Sequence, residues 1–176
     1  MNGTPNASVN RITNGNVYLG QNNLIGKVED INLDAVKAKM EEVKSLGLVG
    51  TYELFSGFDK FGGKIKWNSF YPQYAKQVAN PFVPVKLQVR SSIETHSSLG
   101  MTRTPMVTLL TVRFTENPLG QWQQHQNVPF ETSFTTLAVK QMVAGETIFE
   151  IDVLNNIFIV DGEDLLAQYR AHIGAN

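Results

Sequence analysis

The chain contains no cysteine, which excludes disulfides, thiolate nucleophiles and Cys-ligated zinc or iron–sulfur centres and leaves the redox compartment unread. Histidine is scarce as well. His96, His125 and His172 stand tens of residues apart without helical pairing, the pattern of surface or strand-face side chains rather than of a metal site or general base. Neither sign of charge dominates, with 15 Lys plus Arg against 16 Asp plus Glu, so no broad basic field exists to hold nucleic acid or an anionic membrane. No stretch is apolar over the ~20 residues that a membrane helix needs, and the first fifteen residues lack the apolar core of a signal peptide. The expectation is a protein made and kept soluble in a cytosol, with no stable membrane association. Phosphate loops, nucleophile elbows, zinc-protease helices and dinucleotide fingerprints are missing too.

What is present is material for a core. The chain has 176 residues, 42% of them hydrophobic, with ten Phe, five Tyr and two Trp. That is enough for one domain and too aromatic for a disordered chain.

Residues 1–15 are rich in Asn, Gly, Thr and Ser and read as a flexible arm, since they bury too little apolar surface to offset ordering. Residues 17–19 and 24–28 read as strands flanking the turn-like Gly20-Gln21-Asn22-Asn23, the second running on toward Leu33. Residues 34–47 carry both a helical stripe (Ala35, Val36, Met40, Val43, Leu46) and a strand-like alternation, and the pattern leaves both open. Residues 48–58 are Gly-punctuated yet apolar. Residues 61–67 alternate Phe61, Ile65 and Trp67 with lysines, as a half-buried strand does. Tyr71-Pro72 opens a helix that ends at Asn80-Pro81. Long strands are expected over 84–96, 105–115 and 128–143, shorter ones over 147–154 and 157–160, and a terminal helix over 163–172 capped by Gly174. The order implies a mainly β chain, an antiparallel sandwich or barrel with one inserted and one C-terminal helix.

Chemistry-bearing groups have structural explanations. Glu150 and Asp152 share a strand face, and Asp161, Glu163 and Asp164 precede a helix, where negative charge suits the dipole. Lys64 and Lys66 beside Trp67 read as a solvated strand face, and Gly62-Gly63 as a bulge or close packing. No catalytic, metal or cofactor residue is assigned. Two features stand out: long β segments with one-sided alternation, and an apolar loop that a lone domain would expose. Both invite association with copies of the same chain.

The runs Lys64-Ile65-Lys66-Trp67-Asn68-Ser69-Phe70-Tyr71-Pro72, Leu87-Gln88-Val89-Arg90-Ser91-Ser92, Glu150-Ile151-Asp152-Val153-Leu154 and Leu165-Leu166-Ala167-Gln168-Tyr169-Arg170 closely resemble the major tail tube proteins of contractile-tailed bacteriophages, a family that includes R-type bacteriocin tubes. The resemblance spans Val17 to Gly174 and makes 16–176 the tail tube domain. It implies two antiparallel β sheets packed at a steep angle with a flanking helix, six subunits to a ring, and rings stacked into a tube around a continuous inner barrel. It also implies that residues 36–45 are one arm of a long hairpin. Its tip would be the 48–58 loop (Leu48, Val49, Tyr52, Leu54, Phe55, Phe58) reaching the neighbouring ring, and 61–67 the return strand. Val107, Leu109, Thr135 and Val139 are expected in strands that pair within the ring.

The implied function is a virion structural protein, not an enzyme: a rigid conduit, driven through the host envelope by sheath contraction, for genome delivery. Implied partners are further copies of itself, the tail sheath, tape measure, baseplate and tail terminator proteins, and phage DNA in transit only, along a neutral or acidic bore. A headless contractile particle and, further off, a ligand-binding β barrel are the alternatives.

Overall fold

The computed structural model describes residues 7–175 and is mainly β. In chain order come β1 (Ser8–Leu19), β2 (Asn22–Asn23), β3 (Val28–Leu33), β4 (Ala38–Val43), β5 (Tyr52–Phe58), β6 (Gly62–Trp67), α1 (Pro72–Val78), β7 (Val85–Ser97), β8 (Gly100–Phe114), β9 (Phe130–Val143), β10 (Glu146–Asp152), β11 (Ile157–Val160), β12 (Glu163–Asp164) and α2 (Ala167–Ile173).

Ten strands form one antiparallel sheet in the order β12-β11-β10-β9-β8-β7-β1-β2, with a branch through β6 to β3, while β4 and β5 form a separate hairpin. Strand β9 makes the branch. On one edge it pairs with β8 over Phe134–Val143; on the other it pairs with β6 over Phe130–Thr135 and with β10 over Ala138–Val143. The two layers expected from the resemblance thus take the form of one branched sheet. A register shift between Thr111 and Val112 marks where its partners change, as a bulge bends a strand.

Alternation explains the core. On β8, Thr108, Leu110, Val112 and Phe114 are buried while Arg113 is exposed, the period of a strand with one covered face. Leu19, Leu87 and Leu110 from one arm of the sheet join Ile65, Trp67 and Phe134 from the other in a single buried cluster. Each fully buried aliphatic side chain there contributes about 1.5–3 kcal/mol. Helix α1 closes one side. Tyr71 and Pro72 start it, Tyr74 and Val78 bury its inner face, and Trp67 stacks on Tyr74 at 5.8 Å while its indole donates to Thr132 Oγ1 at 3.0 Å.

Gly62 and Gly63 allow the close approach of β6 to β9: a Cβ on Gly62 would run into the Phe134 carbonyl, and one on Gly63 would meet the Asn32 carbonyl. Close backbone approach is thus their role, as the sequence suggested.

Several expectations shift. Residues 8–15, read as part of an arm, form the first two thirds of β1 and pair with β7. They are exposed yet held by ladder hydrogen bonds, which the apolar-content argument ignores. Residues 1–6 of that arm lie outside the described residues. Residues 24–27 are a turn, with Lys27 N donating to Leu24 O at 2.9 Å, and the strand starts only at Val28. The terminal helix begins at Ala167 because Glu163 and Asp164 pair with β11. Its Gly174 cap is left-handed, φ 69°, as anticipated.

Candidate assembly surfaces

The long strands outrun the core. Beyond Arg90, β7 continues with only β1 and β8 beside it: β1 pairs from Ser8 to Ile12 with Ser97 to Ile93, and β8 from Gly100 to Pro105 with Ser97 to Ser92. This three-stranded ribbon leaves Val9, Ile12 and Met101 exposed. It is tied across by charge. Glu94 on the middle strand accepts from Arg11 Nη2 on one side at 2.9 Å and from Arg103 Nη2 on the other at 3.1 Å, and His96 Nε2 lies 3.7 Å away. The hydrogen bonds from Arg11 and then Arg103 hold the Glu94 carboxyl below its ordinary range. The Glu94 side chain is only 12% exposed, since the two guanidinium groups cover it.

The second projection is the β4–β5 hairpin, which shares no ladder with the main sheet. Its connection, residues 44–51, carries Leu46, Leu48 and Val49, all strongly exposed, with Val49 at 108%. Of the six residues assigned to this loop, Leu48 and Val49 lie in the connection, whereas Tyr52, Leu54, Phe55 and Phe58 lie on β5. Strand β5 is therefore the hairpin's return strand, pairing Tyr52 with Val43 and Phe58 with Ala38. Residues 61–67, expected in that role, are β6 and pair with β3 and β9, because their alternating Ile65 and Trp67 belong to the core. Phe55 and Phe58 also pack within the chain, 6.4 and 4.9 Å from the Phe158 ring, so the base of the hairpin is docked and its tip is free.

Val107, Leu109, Thr135 and Val139 occupy the interior of the main sheet. Val107 lies between Arg90 and Met142, Leu109 between Gln88 and Lys140, Thr135 between Arg113 and Gly62, and Val139 between Leu110 and Ile151. Strands of the same chain take both their edges, so none has a backbone edge to offer another subunit.

The model of the phage tail tube protein FII family matches residues 9–174, nearly the whole chain. This chain belongs to that family. No curated protein matches it. As a family member it is a structural tail tube subunit, non-enzymatic, and a component of the virion. The match starts at residue 9, inside β1, and so takes in strand residues that precede Val17.

In this tail tube subunit a third surface surrounds α1. Phe70, Leu119 and Trp122 are exposed there around an open apolar groove of about 560 Å³. A larger cleft, about 740 Å³, separates the β1 edge at Asn14–Val17 from β3 at Val28–Ile31. Among the described residues no group of three or more His, Cys, Asp or Glu is placed to hold a metal, and no helix is long and apolar enough to cross a membrane. Three of the five carboxylates singled out in the sequence have local partners: Glu150 pairs with Lys140 at 2.8 Å, Asp152 accepts from Leu154 N and Asn155 N, and Asp164 pairs with Arg170 at 2.5 Å. Lys64 and Lys66 pair with Glu131 and Glu29, each at 2.8 Å. The Arg11–Glu94–Arg103 tie escaped the sequence reading. Its signal was there, since Glu94 and Arg103 are equidistant from the Ser97–Gly100 turn and must face each other in a hairpin.

Proposed function

We propose that this tail tube subunit assembles as hexameric rings that stack into the inner tube of a contractile phage tail, a rigid conduit for genome delivery through the host envelope. The observation that carries the reading is the free tip of the β4–β5 hairpin, whose exposed residues Leu46, Leu48 and Val49 form an apolar patch with no covering in the subunit. Such patches mark association sites, and the hairpin reaches away from the sheet to a neighbouring ring. Leu48, Val49, Tyr52 and Leu54 are its contact residues, with Phe55 and Phe58 bracing its base.

In this reading Val107, Leu109, Thr135 and Val139 serve ring assembly indirectly, by holding together the sheet whose edges meet other subunits. The sheath surrounds the tube, the tape measure occupies it during assembly, and baseplate and terminator proteins cap its ends. DNA meets the bore only in transit, which needs weak contact with phosphate. On the solvent face of the long sheet Lys140 pairs with Glu150, while Arg11 and Arg103 share the one carboxylate of Glu94, so part of the positive charge there is balanced within the subunit.

Electron microscopy and sedimentation of the purified protein test the assembly directly. Rings and stacked tubes are expected, and a species that stays monomeric at high concentration overturns the reading. Short duplex DNA should not be retained by the tubes at physiological salt, and salt-sensitive retention would remove DNA passage from the proposal.

A further inference from the structure

Resting on the ring stacking just proposed, we infer which surface receives the hairpin: the β4–β5 tip of one copy seats in the apolar groove between α1 and the 115–129 connection of a copy in the adjacent ring.

Tip and groove lie at opposite ends of the subunit. The β3–β6 ladder runs from the pair Val28 and Trp67 to the pair Leu33 and Gly63. The hairpin leaves from the second end, where Asp34 N donates to Gly62 O and Asp59 N to Lys37 O. Helix α1 follows β6 at the first end, and its Tyr74 stacks on Trp67. Strand β9 shows the same polarity. Phe130 at its start lines the groove, whereas its Ala138–Val143 stretch pairs with β10, whose partner β11 carries the Phe158 against which the hairpin base packs. The six residues of β4, at about 3.3 Å each, carry the tip ~20 Å beyond that base. A copy displaced along this direction therefore brings its hairpin to the groove end of the next. The contact joins unlike surfaces, so it repeats along one axis without closing, which a stack of rings requires.

The two surfaces also match in chemistry. Residues 45–51 carry no charge and present Leu46, Leu48 and Val49. Phe70, Pro118, Leu119, Trp122 and Phe130 line the groove, and among the described residues around it Lys76 alone is charged. An exposed tryptophan beside a groove is the commonest kind of anchor at protein interfaces. Just behind the tip, Glu42 and Glu53 pair directly across the hairpin, and like charges so placed repel. Lys44, 3.6 Å from Glu42, offsets one of them. Lys76, in the last turn of α1, supplies the second cation when the tip is seated.

The unaltered protein gives the first test. Of its two tryptophans, Trp67 is 4% exposed and Trp122 77%, so quenching by acrylamide reports on Trp122. Quenching should fall by about half or more between dissociated subunits and tubes, as that ring leaves water. It should stay high in assemblies of Leu48→Asp that stop short of tubes. Equal quenching in subunits and tubes overturns the inference. Because the chain has no cysteine, Val49→Cys combined with Leu119→Cys or with Trp122→Cys gives clean cross-links. Oxidised tubes should yield a ladder running past six copies, since the links follow the axis and not the ring, while Val49→Cys alone should stop at the dimer. Lys76→Glu should raise the concentration needed for tubes about fivefold, and adding Glu53→Lys should restore it, a rescue that a purely local role of Lys76 would not give. Normal tubes with no ladder from either pair overturn this receiving surface, and loss of tubes in Leu48→Asp then leaves the hairpin reading standing. Tubes of ordinary length from Leu48→Asp and Val49→Asp remove that reading, and this inference with it.

Discussion

Strand β1 is two different materials in one chain. Its last three residues, Val17, Tyr18 and Leu19, sit over the core, with Val17 and Leu19 buried, while Ser8 to Gly15 is exposed throughout. The same division runs through β7 and β8, whose inner halves bury Leu87, Leu110 and Val112 and whose outer halves form the ribbon. In the inner half, apolar burial fixes the register, since a slip of one residue would turn every core side chain to solvent. In the outer half only backbone bonds and the Glu94 tie do so. A domain stabilised by its inner half can thus carry a ribbon and a hairpin whose burial is completed outside the subunit.

A proline scan should separate the two regions most sharply. Thr135→Pro strikes β9 where both neighbours are strands of the same chain, and the loss of a ladder bond with the ring clash should cost about 3 kcal/mol or more, enough to unfold much of the population in a denaturant titration. Asn10→Pro on the ribbon edge should change subunit stability by less than ~1 kcal/mol, because the edge tolerates proline. Equal losses would erase the distinction. Next in size, Ile65→Ala empties a fully buried site and should cost about 2–5 kcal/mol by chemical denaturation.

Charges on the hairpin sharpen the contrast from the other side. Leu48→Asp or Val49→Asp should leave subunit stability within ~0.5 kcal/mol, as surface changes do, yet abolish long tubes in micrographs, since the charge would enter an apolar contact. Phe55→Asp differs, because it also strips the aromatic contact with Phe58 and Phe158 and should loosen the hairpin within the lone subunit. Tubes of ordinary length from both tip variants would show that the hairpin does not hold rings together.

The smallest effect expected is with pH. The Glu94 carboxyl is lowered by its hydrogen bonds from Arg11 and Arg103, so its contribution is present at neutral pH and above the ordinary carboxylate range. It is lost as pH falls through the lowered value. Ribbon amides should exchange faster there while core amides stay protected, and added salt should weaken the tie in the same direction. An NMR titration of Glu94 that showed an ordinary or raised value would refute it.

Legibility followed burial. Strands β6, β7, β9 and β11 and helix α1 were readable because each sets one face on the core, and hydrophobic period is the signal that such a face leaves. The first half of β1 and the Gly100–Thr104 end of β8 have no covered face, so a polar strand there looks like an arm or a turn. Strand β5 was hidden for a related reason: it is apolar on both sides and broken by Gly57 at φ 107°. The sequence by itself determined the chemistry that is excluded, the mainly β class, the family and the apolar character of residues 48–58. Only the tertiary structure decided that β5 rather than β6 returns the hairpin, that Val107, Leu109, Thr135 and Val139 have both edges filled, and that the ribbon's open edges are those of β1 and β8. Strand neighbours are set by which long-range backbone groups find each other, and that choice leaves no mark on either strand's own pattern of side chains.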